Sequence, residues 1–198
     1  MQTAFLSPAQ KEQARHGGRL FPIKKYITRL TDLHPSVPAH WHDEAELTLI
    51  TEGQCTYHIH LDTFHAEKGD LLFVPPAELH SIIMQDGSDM ASETYVFHMD
   101  YLGASAADLC AVKYLAPITR HTLILPCIIH PGHPVYSRLL AVFQDINRIY
   151  EDTPPGYELL LKSALLAAVA SLIPYQEENA ARPQLENEHT EKLKLALE

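Results

Sequence analysis

The feature that most constrains this chain is the stretch from His40 to His80. It begins HWHDEAELTLITEG over residues 40–53 and closes GDLLFVPPAELH over residues 69–80. Inside it stand His40, His42, Glu46 and His80, all residue types that bind divalent metals through nitrogen or oxygen. Side chains alternate faces along an extended strand, so His40, His42 and Glu46 share parity and point the same way if the stretch is extended. Glu44 has that parity too, and parity alone does not separate it from Glu46. His80 lies at the far end, just after the turn signal Pro75-Pro76. Two strands of one barrel would bring it opposite the other three.

The flanking pattern sets the architecture. FPIKKYITRL, residues 21–30, reads as a strand, because β-branched and aromatic residues recur in it. His34-Pro35-Ser36-Val37-Pro38 reads as a loop, since each proline pushes its predecessor out of the helix region. Strands are then predicted at 45–51, 54–61, 64–67, 71–74, 79–84 and 92–99, with turns between them. In the second of these, Cys55, Tyr57, Ile59 and Leu61 share one face and Thr56, His58 and His60 the other. Such close spacing signals a sandwich or a small antiparallel barrel enclosing one ligand-sized cavity.

After Tyr101 the texture shifts. Residues 104–114 are predicted as a short helix, and 119–125 and 128–130 as further strand pieces. From Pro134, Val135, Leu139, Val142, Phe143, Ile146 and Ile149 form one apolar helical stripe. Residues 157–173 read as a second helix, apolar almost all round, which must be covered on more than one side. Charged replacements of Leu165 and Leu166 distinguish a core helix from an interface. Its apolar run, residues 159–173, carries Lys162 and Ser163 and is read as too short to span a bilayer comfortably. Residues 176–198 read as a polar linker followed by the start of an amphipathic helix, Thr190–Glu198.

The formal net charge is −10, which argues against this chain holding nucleic acid by itself, because phosphate binding needs Lys and Arg. Three scattered cysteines, Cys55, Cys110 and Cys127, show no CxxC spacing, so free thiols in a reducing cytosol are expected, each a small buried hydrophobe. No charged-then-apolar leader opens the chain, so no secretory signal is expected.

The motif spacing carries a resemblance. HxHxxxExxxxxxG is similar to the first cupin motif, filled by His40, His42, Glu46 and Gly53, and GxxxxxPxxxxH resembles the second, filled by Gly69, Pro75 and His80. His34 and Ala77 stand where those motifs usually carry Gly, so the turn at Ala77 is expected to differ. The wording of 40–80 looks specifically like the N-terminal sensing domain of AraC-family transcription regulators. That resemblance implies a mainly β fold with C-terminal α: a cupin barrel (double-stranded β-helix or jelly roll) followed by two helices. It implies residues 1–20 as an N-terminal arm able to fold over the pocket, 21–130 as the barrel and 131–175 as a helical dimerisation segment. Residues 176–198 would then be a linker and the start of a truncated helix-turn-helix domain.

The function expected on that basis is effector sensing and dimerisation, without enzymatic activity. A small-molecule effector, a divalent transition metal (Zn, Ni, Mn or Fe), or both, would bind in the cupin pocket of a cytoplasmic homodimer. DNA would be reached only through the C-terminal domain, and no membrane is involved. His40, His42, Glu46 and His80 are the expected metal ligands, and Tyr57, His98 and Trp41 are candidates for contacting the effector. Strict alternation nevertheless points Trp41 away from the histidines flanking it, and Tyr57 reads equally as core. His58 and His60 look like a second HxH pair but read as a solvent face. The alternative is a metal-dependent cupin enzyme, an oxygenase or an isomerase or epimerase.

Overall fold

Alternation along one strand sorts the molecule into layers. In β3 (Ala45–Glu52), Ala45 and Leu47 pack among residues of the helices, while Ile50 packs between two sheets. In β6 (Leu71–Val74), Leu71 and Phe73 face the helices, and Leu72 and Val74 face the second sheet. A strand buried on both faces needs apolar residues at every position, which is why LLFV shows no alternation.

The chain is described by a computed structural model over residues 10–85 and 89–176. Residues 1–9 of the arm, the linker at 177–189 and the helix at 190–198 lie outside the described residues. So does part of the polar loop around residue 87.

The remaining strands are β1 (Ile23–Leu30), β2 (Ser36–His40), β4 (Gln54–Ile59), β5 (Asp62–Glu67), β7 (His80–Met84), β8 (Met90–Phe97) and β9 (Ile128–Ile129). They form two antiparallel sheets, ordered β1-β8-β3-β6-β9 and β2-β7-β4-β5. Leu30, Ile50, Tyr57, Leu72, Ile82 and Met90 fill the space between them. The sheets pack face to face as a jelly roll, the architecture the cupin resemblance implies, with helices on the outer face of the first sheet: α1 (Met99–Leu102), α2 (Ala116–Thr119) after a π-helical turn (Ala111–Leu115), α3 (Tyr136–Asp152) and α4 (Tyr157–Leu172).

Several expectations are corrected. Residues 36–40 are a strand rather than a loop. β2 is an edge strand, so Pro38 can sit in it without costing an interior ladder bond, and the register shifts between Val37 and His40. Residues 119–125 are not a strand: Pro117 opens α2, and His121 sits at φ 55°, outside extended geometry. The short helix expected at 104–114 starts later and runs on into α2. Leu61 leaves the buried face of Cys55, Tyr57 and Ile59, because His60 turns left-handed at φ 55°. Cys110 is exposed rather than buried. Ala77 takes φ 58°, the left-handed conformation that Gly would enter with less strain.

α3 and α4 pack on each other and on the sheet through Leu139, Phe143, Ile146, Leu161, Leu165 and Leu172. A polar chain ties α3 to the sheet: Tyr95 Oη donates to Asn147 Oδ1 at 2.6 Å, and Asn147 Nδ2 donates to Glu93 Oε2 at 2.6 Å. α4 ends at Leu172, within one residue of the expected bound, but the turn after it carries the helical stretch to Tyr175, and Tyr157–Tyr175 has 19 residues and a mean hydropathy of 1.5, enough by length and composition to cross a membrane. A third of that apolar window is buried, with Leu161, Leu165 and Leu172 in the core.

Gly53 joins β3 to β4 at φ 66°, and a Cβ there would lie 1.9 Å from the Asp89 carbonyl oxygen. Gly53→Ala therefore meets both left-handed strain and a backbone clash. The variant is expected to lose about 3 kcal/mol or more, lowering the thermal midpoint by roughly 6–12 °C. An unchanged melting curve would show that the turn relaxes freely.

Candidate metal centre and ligand pocket

Strand register brings two of the histidines together. His40 and His80 are direct cross-strand partners in the β2–β7 ladder, and their ring centroids are 4.3 Å apart. Glu46 reaches in from β3, in the other sheet, and His42 lies on the crossover between β2 and β3. The stretch 40–46 is thus not one extended strand, as parity assumed. It breaks between His40 and Ala45 and changes sheet, yet its side chains converge. The donor atoms of His40, His42 and His80 all lie within 4.8 Å of one another. Glu46 Oε1 is 3.0 Å from His42 Nε2 and 3.7 Å from His80 Nε2. Glu44 lies on the other side of His42, its Oε2 3.5 Å from Nδ1, so geometry separates the two carboxylates where parity could not.

Each histidine is oriented from behind. His40 Nδ1 donates to the Pro38 carbonyl at 2.9 Å, His42 Nδ1 to the Glu44 carbonyl at 3.1 Å, and His80 Nδ1 to the Glu78 carbonyl at 2.9 Å. A carbonyl only accepts, so each Nδ1 carries the proton and each Nε2 is turned to the centre. This outer-shell arrangement is the one metal-ligating histidines use. His80 Nε2 is buried without a hydrogen-bond partner. His42 has acceptors at both ring nitrogens, which requires a second proton or a cation at Nε2. The donor set therefore fits a divalent cation.

The charges are already paired. Burial pushes the Glu46 carboxyl up, but attraction to His80 and the hydrogen bond from His42 outweigh it and hold the group far below the usual carboxylate range. Burial likewise pushes His80 down, and Glu46 more than reverses that. His40 titrates lower than usual, first from burial and then from repulsion by His80.

Above the centre opens a cavity of about 120 Å³. Tyr26, Thr28, Thr94 and Val96 line it from the first sheet, and Val37 and Ile82 from the second, beside His40, Glu46 and His80. Glu12 and His16 line it too, and the sequence reading singled out neither. No periodicity marks residues 10–18, so only the general expectation of an arm over the pocket pointed there.

The three effector-contact candidates lie elsewhere. Tyr57 is fully buried between the sheets. Trp41 is buried with Lys11 Nζ 4.7 Å above its ring. His98 follows β8 and caps α1, its Nδ1 accepting from the Asp100 N–H at 3.2 Å. None of them lines the cavity.

His60 is not simply solvent-facing. It approaches the buried carboxylate Glu78 at 3.3 Å, while His121 Nδ1 meets the other oxygen at 2.8 Å. Burial opposes ionisation of Glu78, but hydrogen bonds from His121 and then His60 bring it down from 4.5 to about 2. A carboxyl with a depressed folded-state value stabilises fully above its unfolded value and loses that contribution as pH falls from about 4.5 towards 2. The shift corresponds to on the order of 3 kcal/mol. Glu78→Gln is expected to lower the thermal midpoint by several degrees at pH 6, with the gap to wild type narrowing by pH 3. A gap that does not depend on pH would show that the carboxylate charge contributes nothing.

The family model of the AraC-like ligand binding domain matches residues 29–169. An uncharacterized HTH-type transcriptional regulator, YdeC of Bacillus subtilis (strain 168), is 31% identical over 152 residues, which is 75% of this chain and 50% of that protein. The chain thus spans about half the length of this curated relative. Among solved structures, a cupin protein from Bacteroides fragilis is 20% identical, with a TM-score of 0.36 over 38% of this chain and 65% of its own. A cupin 2 conserved barrel domain protein from Rhodopseudomonas palustris is 15% identical, with a TM-score of 0.35 over 47% of this chain and 56% of its own.

Proposed function

The chain belongs to the AraC-like ligand-binding domain family, and from that premise we propose that it is the effector-sensing and dimerising part of a cytoplasmic transcription regulator. In this reading residues 1–20 are an arm, 21–130 the barrel, 131–175 a dimerisation segment and 176–198 a linker and the start of a DNA-binding domain. The effector is a small molecule taken into the cavity, held by a divalent transition metal (Zn, Ni, Mn or Fe) on His40, His42, Glu46 and His80. The observation that carries the reading is that the three imidazole Nε2 atoms and Glu46 face one point at the cavity floor, each imidazole fixed from behind. A bound cation would supply a Lewis-acidic anchor for an oxygen-bearing effector. Tyr26, Thr28 and Thr94 would then choose among such molecules by hydrogen bonding.

Regulation follows from differential affinity: the effector shifts the regulator only by binding one state better than another. α4 supports a twofold contact, because Leu159 and Leu160 are exposed on it at 73% and 45%. DNA binding belongs to the rest of the protein, as the net charge of −10 suits no phosphate contact here.

The test is elemental analysis of purified protein, followed by gel shifts with the full-length regulator with and without metal and small hydroxylated acids or sugars. Sequence-specific binding that metal or effector modulates supports the reading. Specific, salt-sensitive binding by residues 1–198 alone would overturn the division of labour. The same donor set suits a metal-dependent oxygenase or isomerase, so turnover of such acids by the metal-loaded chain would replace the regulator reading with an enzyme.

A further inference from the structure

Residues 10–18 are seated against the crossover that carries His42. Glu12 N–H donates to the Trp41 carbonyl at 2.9 Å, and Trp41 N–H donates to the Gln10 carbonyl at 3.1 Å. Lys11 pairs with Asp43 at 2.8 Å. Gly17, at φ 89°, then turns the chain into β1, where a Cβ would lie 2.6 Å from backbone atoms of Phe21 and Ile23. This backbone path places two donors over the cavity.

His16 is buried and its Nδ1 is hydrogen-bonded to Tyr26 Oη at 2.9 Å, so its Nε2 is the nitrogen left to act. That Nε2 has no hydrogen-bond partner. Glu12 Oε2 lies 3.5 Å from it and 3.7 Å from His40 Nε2. The His16 and His42 rings are 4.9 Å apart, and donor atoms of Glu12, His16 and His42 all lie within 4.8 Å of one another. Ligands sharing one cation at bonds of about 2.1 Å sit roughly 3–4 Å apart, so small side-chain movements would bring this second donor group onto a common ion. The two donor groups share His42, whose single available Nε2 can serve only one ion.

We propose that Glu12 and His16 are arm-borne ligands of the divalent cation bound by His40, His42, Glu46 and His80, and that the cation latches the arm over the cavity. The inference rests on the metal reading above. It adds that the centre is completed by residues outside the motif. Metal affinity and arm closure are then thermodynamically reciprocal: whatever the docked arm adds to metal binding, metal adds to docking. Without a cation, the buried His16 Nε2 has no hydrogen-bond partner, and the arm keeps its backbone pairing, the Lys11–Asp43 pair and the His16–Tyr26 hydrogen bond but lacks the added latch.

Arg15 is exposed in the middle of this segment and offers trypsin a site that reports docking. The experiment follows cleavage after Arg15 by mass spectrometry, with and without saturating nickel(II) chloride, in wild type and in the Glu12→Gln/His16→Gln variant. Nickel affinity is measured in parallel by chelator competition, and folding by circular dichroism. In wild type, nickel is expected to slow cleavage at Arg15 about tenfold or more. In the variant the protection disappears and nickel binds about tenfold more weakly, while the barrel ligands still hold it. Nickel binding to wild type without protection at Arg15 overturns the latch and leaves the metal centre standing. So does protection that survives in the variant. No nickel binding to wild type removes the metal reading itself, and the latch with it.

Discussion

Leu165→Asp is expected to unfold this domain, whereas Leu159→Glu with Leu160→Glu leaves it folded and changes only its association. In the sequence these leucines look alike, since α4 is apolar almost all round. The structure separates them. Leu165 is fully buried in the core cluster with Leu139, Phe143, Ile146, Leu161 and Leu172. Truncating such a side chain costs about 2–5 kcal/mol, and a carboxylate in its place adds several more for burying an unpaired charge. Their sum is comparable with the whole stability of a domain, about 5–15 kcal/mol. Leu165→Ala should therefore melt roughly 5–15 °C early, and the aspartate variant should show no cooperative transition. Leu159 and Leu160 stand outside that core, so charging them removes little intramolecular packing. If wild type is dimeric by light scattering and the double variant is a folded monomer, α4 is the interface. A wild type that stays monomeric at high concentration would refute the dimer, and a Leu165→Asp protein melting like wild type would refute the packing.

His80→Ala is expected to abolish the response to metal and to weaken the metal-free protein as well. His80 faces Glu46 across the cavity floor, 3.7 Å away, and is the principal charge holding that buried carboxylate ionised. Removing one partner of a buried pair typically costs 3–5 kcal/mol, here reduced because His42 still hydrogen-bonds Glu46. The linkage effect is separate. A ligand binding only the folded state stabilises it by about 4 kcal/mol at a thousand times its dissociation constant, which raises the midpoint by roughly 8–16 °C. Wild type should show that rise with zinc or nickel, and His80→Ala should show none. The Glu12→Gln/His16→Gln variant should keep most of it. Coincident melting curves for wild type with and without metal would remove the cation from the site.

Much of this architecture is legible in the sequence. Alternation in Cys55, Tyr57 and Ile59, the all-apolar run 71–74 and the stripe Leu139, Phe143, Ile146 follow from side-chain periodicity, which is local. So their existence, type and buried face could be read residue by residue. The motif spacing likewise nominated His40, His42, Glu46 and His80 as one group. It did so partly for the wrong reason, because the strand that parity assumed breaks at the crossover and its donors arrive from two sheets.

The rest depends on distant pairings. β2 tolerates Pro38 because it lies at a sheet edge, a position no local signal gives. Glu44 and Glu46 separate only once the crossover turns one outwards. Tyr57, Trp41 and His98 read as pocket candidates from residue type, yet barrel closure, the arm and a helix cap use them instead. Glu12 and His16 belong to a segment with no period at all, and reach the cavity only because Gln10 and Glu12 pair with Trp41. Glu78 becomes a clamped carboxylate because two loops far apart in sequence meet there. Local residue type and periodicity set which residues could be buried and which could bind a cation. Long-range backbone pairing, whose loop-closure cost and register appear nowhere in local composition, decided which of them meet.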